Sequence, residues 1–381
     1  MRKKFVQISL FIVLFLFIGS VFILLRGHVD SGMKAKGYYD DITSPGFCND
    51  VDPDTTLIPC EISPWAYGKK KVVVFTWDDC NHGIEDVSAV FNKHNLKTTF
   101  FVNTAAMDNI YYRYRLFYKK PLVSVVENAL MDGHEVGTHT HNHINLSRTS
   151  LDVVNYELQT SSDVICEKFG FRPSTMSHPE SCYNLDIDSI MRTIYLSSRY
   201  SMDNDKDSLI RYMQVRRSYD YNVYAKNLDS FIESNAITYV YGGHQLDNEG
   251  YEPMPSDVLD KLLSYVEDKY GSMCWITTFE DMLFYKHIKE NVIVNNINGN
   301  LTIDMSNIQN LLEKYSHPHA LITLMFPKHN VCCNSRGLVS CKYDGADTYC
   351  TIDLRKSNNI IYSVVDRDYK YQQPMRNGLN R

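Results

Sequence analysis

The chain reads as an α/β domain built on a parallel sheet, set between an N-terminal membrane helix and a small C-terminal β-rich domain. Three observations predict this. From Lys71 to residue 290, short apolar runs alternate with amphipathic helical stretches. Repeated β–α units of this kind make a parallel sheet, either open or closed into a barrel. Residues 5–25 carry no charge, and after residue 291 short strands separated by turns replace the helices.

The first element is the apolar run Phe5 to Leu25, 21 residues behind Met1-Arg2-Lys3-Lys4. At ~1.5 Å per residue such a helix spans about 30 Å, the thickness of bilayer hydrocarbon. A cleaved signal peptide usually has a shorter apolar region of about 7–15 residues and a small-x-small cleavage site. Leu24-Leu25-Arg26 is a poor cleavage site, so an uncleaved anchor is the expectation. Arg2, Lys3 and Lys4 outweigh Arg26 on the far flank. The positive-inside rule then leaves a single-pass type II protein with Arg26 to Arg381 extracellular or lumenal. Cleavage would instead give a secreted form.

Residues 26–70 read as a stalk, with Gly27, Gly32, Gly37, Pro45, Gly46, Pro53, Pro59 and Pro64 and no apolar periodicity. Residues 71–290 form the α/β domain. Val72 to Trp77 is a nearly continuous apolar run, as expected of a strand buried on both faces. Ile84 to His94 is helical, Thr98 to Val102 a strand, and Pro121 to Met131 a helix stopped by Gly133. Glu135 to Thr138 is a short strand, and Leu151 to Phe169 a long helix ending at Gly170. A strand at 175–177 and a helix at 186–193 follow. The alternation continues with helix 228–235, strand 237–241, helix 257–270 ended by Gly271, strand 273–277 and helix 278–288. Residues 291–381 are the β-rich accessory domain, with strands at 292–294, 301–303, 320–326 and 360–364. A sandwich is one arrangement of these.

Composition narrows the function. Beyond residue 25 there are 36 basic and 45 acidic side chains, a net of −9. That argues against nucleic-acid binding, which needs a basic footprint. The ten cysteines are an even number in a translocated chain and fit disulfides. Cys48 and Cys60 bracket a short Pro-rich stretch and are expected to pair. Cys332, Cys333, Cys341 and Cys350 crowd into 19 residues and are expected to pair among themselves. Asn145-Leu-Ser and Asn300-Leu-Thr are glycosylation sequons.

Three candidate sites stand at the C-terminal ends of expected strands, where parallel α/β folds place their active sites. Asp78 and Asp79 end the first strand. Two adjacent carboxylates after an apolar strand repel each other and cost desolvation, which a bound cation would offset. Their side chains point in opposite directions, so one could ligate metal while the other moves a proton. The competing reading is a solvated loop pair. His139 and His143 are four residues apart, which lets both imidazoles face one ion. With Asp79 they would make a facial site with open positions, suited to Zn²⁺. The competing reading is a surface histidine cluster. His244 follows Tyr239-Val-Tyr-Gly-Gly243 and could protonate a leaving group, although a lone histidine is more often structural.

Taken together, these segments resemble the polysaccharide deacetylases of the NodB-homology type, carbohydrate esterase family four. Val72 to Val102, VVVFTWDDCNHGIEDVSAVFNKHNLKTTFFV, is similar to that family's first segment. Gly133-His-Glu-Val-Gly-Thr-His-Thr-His-Asn-His143, leading to Asn145-Leu146, is similar to its second. Tyr239 to Gly250, YVYGGHQLDNEG, with Trp275-Ile-Thr-Thr-Phe-Glu280, resembles its close. The resemblance covers residues 70–288. It implies a distorted (β/α) barrel with one divalent metal, usually zinc, held by Asp79, His139 and His143. It further implies Asp78 as general base and His244 as general acid in removing acetyl groups, N- or O-linked, from an extracellular or surface polysaccharide.

The sequence departs from the family pattern in its third segment, Phe171-Arg-Pro-Ser-Thr-Met-Ser-His-Pro-Glu-Ser181. His178 aligns with the usual aromatic before Pro179, Arg172 falls too early to be the motif arginine, and Glu180 stands where an aromatic is common. These residues form the expected groove wall and oxyanion region, together with Arg199, which would orient the base carboxylate or pair with another acid. Cys80 stands beside the base. Free, it would be an extra ligand; bonded to Cys182, it would brace the site, and the disulfide is the expectation. His82 and His141 are bystanders. Two other functions fit the same fold: a non-catalytic carbohydrate-binding surface protein, and a metal-dependent amidase acting on a small molecule.

Overall fold

The computed structural model describes residues 58–108, 121–182, 184–199, 210–214, 220–247, 250–297, 300–315 and 317–365. The apolar run 5–25 and Cys48 lie outside the described residues. Among the described residues no helix is long and apolar enough to cross a membrane.

The α/β domain is organised around β2 (Lys71–Asp78), in which all eight residues are buried. Its side chains alternate between two cores. Val73, Phe75 and Trp77 face one, and Val72 and Val74 face the other. That is the two-sided burial expected of its continuous apolar run. The second half of β2 pairs with β3 (Thr99–Val102) and its first half with β9 (Cys274–Thr277). On β2 also lies β8 (Thr238–Gly243), followed by β7 (Ile210–Gln214). Beyond β3 come β4 (Glu135–Thr138), β5 (Thr175–Met176) and β6 (Ser197–Ser198), all parallel. Among the described residues the eight strands run β6-β5-β4-β3-β2-β8-β7 with β9 off this path, and no pairing joins β6 to β7.

The helices that cover the first core are α1 (Gly83–Lys93), α3 (Leu122–Met131), α6 (Tyr221–Glu233) and α7 (Ser256–Tyr270). A single turn, α2 (Ala105–Asp108), follows β3. The long helix α4 (Leu151–Phe169) runs between Ser150, whose side chain accepts from Val153 N–H, and Gly170, whose φ of 79° ends it. It packs against α5 (Leu185–Ile194), which Asn184 caps through the Ile187 N–H. Thr278 caps α8 (Phe279–Asn291) in the same way.

After α8 the chain builds a β-sandwich. One sheet holds β10 (Ile293–Ile297), β11 (Asn300–Asp304), β16 (Asn359–Val364) and β13 (Val331–Asn334). The other holds β12 (Leu321–Phe326), β15 (Thr348–Asp353) and β14 (Leu338–Tyr343), with β1 (Glu61–Ile62) on its edge. Leu301, Ile303 and Ile360 of the first sheet meet Ile322, Leu324 and Ile352 of the second in one core. A short helix, α9 (Gln309–Lys314), lies between β11 and β12.

Within the stretch expected to be a stalk, residues 58–70 are packed. Glu61 pairs with Met325 and Ile62 with Leu324, so the N-terminal side of the chain completes a C-terminal sheet. Trp65 then enters the second core of the α/β domain, 5.9 Å from Tyr285 and 6.4 Å from Trp275 between ring centroids. Proline and glycine content suggested a linker here. The deciding contacts are long-range pairings that local composition does not register.

Candidate active site

The site is built where β2, β4 and β8 end. Adjacent residues at the end of β2 diverge. Asp78 is still in the strand and buried, whereas Asp79 takes left-handed backbone (φ 76°) and is half-buried. β4 is pressed between its neighbours: a Cβ on Gly137 would stand 2.6 Å from Thr175 Oγ1 and 2.7 Å from the Phe101 ring. That close fit aims the residues that follow. Thr140 (φ 64°) and His143 (φ 56°) turn the chain so that His143 returns toward His139. Left-handed backbone at non-glycine residues costs about 1–3 kcal/mol each, and such strain gathers at functional sites.

The donor atoms of Asp79, His139 and His143 all lie within 4.8 Å of one another. His143 Nε2 is 3.4 Å from Asp79 Oδ1, and the two imidazole rings are 4.8 Å apart between centroids, edge to face. The Ser177 carbonyl stands 2.8 Å from His139 Nδ1 and accepts its proton. This leaves Nε2 as the free lone pair, the usual second-shell arrangement of a metal-binding histidine. Burial pushes the His139 pKa down, outweighing Asp78 and Asp79, which raise it. The ring is therefore neutral, the form a metal needs. Two imidazole nitrogens and a carboxylate in this arrangement fit a divalent ion with open positions.

Asp78 lies buried beside this cluster, among polar partners. Arg199 grips it through both guanidinium ends, with Nη1 to Oδ1 at 2.8 Å and Nη2 to Oδ2. Arg199 Nη1 also donates to Thr76 Oγ1 at 3.0 Å, and Gln245 Nε2 donates to the Asp78 carbonyl at 3.1 Å. His139 Nε2 stands 3.9 Å from Asp78 Oδ2. Burial alone would raise the Asp78 pKa. The charge and hydrogen bonds of Arg199 outweigh it and hold the carboxyl below the usual carboxylate range. The carboxylate is thus ionised and fixed in orientation. Of the two roles open in the sequence, Arg199 takes the first: it orients the Asp78 carboxylate.

His244, half-buried, stands edge-on to the exposed ring of Tyr251, 5.1 Å between centroids. Other expected site residues fall differently. His178 and Pro179 are buried, not an open groove wall. His178 Nε2 is 3.1 Å from Ser198 Oγ. Burial, with the nearby Arg199 charge adding to it, pushes the His178 pKa down to about 3. Glu180 is exposed, and Asn145 Nδ2 donates to its carboxylate at 2.6 Å.

The Cys80–Cys182 disulfide is not formed. Cys80 is a buried thiol pushed up to about 12 by burial, and by Asp79 beside it. Cys182 Sγ instead accepts from Asn145 Nδ2 at 3.2 Å and donates to the Glu180 carbonyl at 3.3 Å. Cys60 is a thiol, and Cys48, its expected partner, lies outside the described residues. Cys332 is disulfide-bonded, whereas Cys333, Cys341 and Cys350 are thiols, so the last four do not all pair among themselves. Asn145 is half-buried two residues after His143, and Asn300 is exposed at the start of β11. Sequence reasoning missed Thr76, Ser177, Gln245 and Tyr251, whose placement depends on contacts between distant strands. Only the position of Ser177 at the end of an expected strand hinted at a role.

Residues 66–197 match the family model described as polysaccharide deacetylase. A chitin deacetylase of Arthroderma benhamiae is 26% identical over 120 residues, covering 31% of this chain and 29% of that protein. A peptidoglycan-N-acetylglucosamine deacetylase of Listeria monocytogenes is 26% identical over 137 residues, covering 35% of this chain and 26% of that protein. The Xyl-CE4 domain of a multidomain xylanase from the hindgut metagenome of Trinervitermes trinervoides aligns with a TM-score of 0.40 at 15% identity. The alignment covers 57% of this chain and 92% of that one. The chain spans about half or less of the length of the curated relatives it matches.

Proposed function

We propose, because residues 66–197 match the family model described as polysaccharide deacetylase, that the chain is a hydrolase that removes acetyl groups from an acetylated polysaccharide. The observation that carries this is the meeting of the Asp79, His139 and His143 donors beside a carboxylate, Asp78, that a buried arginine holds ionised. A divalent metal bound by those three donors, which suit Zn²⁺, would polarise the acetyl carbonyl and acidify the attacking water.

The chain's own residues supply the rest. Asp78, ionised and gripped by Arg199, accepts the water proton on a carboxylate oxygen. Ser177 fixes His139 in the metal-binding tautomer through its carbonyl. His244, in its protonated form, gives a proton to the leaving amine or hydroxyl. Glu180, Asn145 and Tyr251 lie at the site mouth and contact the polymer. The substrate is an extracellular or surface glycan, and the apolar run 5–25 tethers the enzyme at a membrane. The disulfide at Cys332 supports a chain that matures in an oxidising compartment.

The test is acetate release by the full-length chain with added Zn²⁺ on chitin oligomers, peptidoglycan and acetylxylan, with Asp78→Asn as control. Metal-dependent release that the variant lacks is the expected result. If Asp78→Asn turned over as fast as the parent, the base assignment would be wrong. If a metal-loaded chain released acetate from none of the three, the deacetylase reading would fall.

A further inference from the structure

The β-sandwich core holds a second cluster of nucleophilic side chains, far in sequence from the deacetylase residues. Cys341 on β14 and Cys350 on β15 are directly opposite in register. Cys333 lies on β13, in the other sheet. Cys350 Sγ is 2.6 Å from Cys341 Sγ and 2.7 Å from Cys333 Sγ. Cys333 and Cys350 are fully buried, Cys341 is half-buried, and Cys60 packs against the same apolar core.

Three features say what this cluster does. A disulfide is about 2.05 Å long, so closing either gap takes a movement of only about 0.6 Å. Two thiolates on one tetrahedral zinc ion stand about 3.7 Å apart, given Zn–S bonds of about 2.3 Å. The sulfurs are therefore nearer to bonding each other than to sharing an ion. Finally, Cys332, the residue before Cys333, is disulfide-bonded, as cysteines are in an oxidising environment.

We propose that Cys350 is the shared sulfur of a cross-link in the sandwich core. It forms a disulfide with Cys341 within one sheet or with Cys333 across the two, and the third thiol stays beside the bond as its exchange partner. Forming either bond removes a proton from each of two thiols and two electrons from the sulfur pair. A small-molecule disulfide such as oxidised glutathione takes these up and is reduced to two thiols. In exchange, the third sulfur attacks as thiolate, bonds Cys350 and releases the former partner as thiolate, with no net oxidation. Burial pushes the Cys333 and Cys350 thiols well above their ordinary value. The thiolate is scarce, so exchange is slow and each linkage persists once formed.

The experiment uses the full-length chain equilibrated in a glutathione redox buffer, acid-quenched, alkylated in denaturant and mapped by mass spectrometry without reduction. Trypsin cuts after Lys328, Arg336 and Lys342, which puts Cys333, Cys341 and Cys350 on separate peptides. Fragmentation between Cys332 and Cys333 assigns the first peptide. The expected result is a Cys350 peptide divided between links to Cys341 and to Cys333. Cys333→Ser should leave only the first link and Cys341→Ser only the second. Quantitative alkylation of Cys350 in the oxidised chain would overturn the proposal. So would a single exclusive partner, or one equivalent of metal that survives removal of the Asp79 site and is lost in Cys350→Ser. The wild-type map decides the question even if a serine variant fails to fold.

Discussion

Asp78 and Asp79 are sequence neighbours with opposite surroundings. One is buried in the grip of Arg199, and the other turns out on left-handed backbone toward His143. Substitutions should separate them. Asp79→Asn or His139→Ala should lose metal and turnover together, read by metal stoichiometry after dialysis and by acetate release. Asp78→Asn should keep the metal and lose about 10²–10⁴ in rate, the usual worth of a positioned proton-transfer group. Arg199→Met leaves the Asp78 carboxylate buried without its partner. Breaking a buried pair from one side costs about 3–5 kcal/mol, so urea unfolding should show a fall of that order. A stability unchanged by Arg199→Met would mean that solvent already screens the pair.

At the level of elements, α8 joins the α/β domain to the sandwich through its first turn. The Phe279 N–H donates to Thr99 Oγ1 at 2.8 Å, and the Glu280 N–H to Glu135 Oε2 at 2.7 Å. Asp281 Oδ1 is 3.0 Å from Nε2 of His317, whose ring stacks on Phe284 at 4.3 Å. Burial would lower the His317 pKa, but Glu280 and Asp281 outweigh it and raise it to about 9. Burial, then the nearby Glu280, push Glu135 up to about 8. Both folded values lie above the unfolded ones, so the folded state binds protons more tightly. The stability His317 contributes is fully present below about pH 6.5, its unfolded pKa, and is lost as pH rises through about 9. Thermal unfolding should therefore show a Tm that falls between pH 6.5 and 9, and His317→Gln should flatten that slope. An equally steep slope in the variant would assign the titration elsewhere.

For the whole molecule, the described residues do not divide cleanly at residue 71 or 291. β1 belongs to a sheet whose other strands lie after residue 320, and Trp65 belongs to the α/β core. Leu321 packs in that same core, and Phe284 of α8 packs in the sandwich core. A fragment of residues 71–290 would lose Trp65 and Leu321 from the α/β core and expose Phe284. Fully burying a side chain of this size contributes about 1.5–3 kcal/mol, so losing several removes much of the margin of about 5–15 kcal/mol of an ordinary domain. That fragment is expected to unfold at a much lower temperature than residues 58–365, or to aggregate. Matching calorimetric profiles for the two would show that the sandwich is dispensable to the α/β fold.

Much of this molecule could be read from local pattern. The apolar run of β2, the periodicity of α4 with Ser150 and Gly170 at its ends, and the strand-end positions of Asp79, His139 and His143 are properties of neighbouring residues. Backbone geometry turns those directly into strands, helices and loop sites. The strand order of the sheet, the membership of β1 in the sandwich, the burial of His178 and the Arg199 grip on Asp78 depend on residues tens to hundreds of positions apart. So does the cysteine pairing, where the family resemblance suggested Cys80–Cys182 and the fold left both as thiols. Sequence by itself determined which segments alternate and which side chains could ligate a metal, because both follow from local period and residue chemistry. Only tertiary structure decided which sulfurs and which charges meet, because packing of distant elements sets those distances.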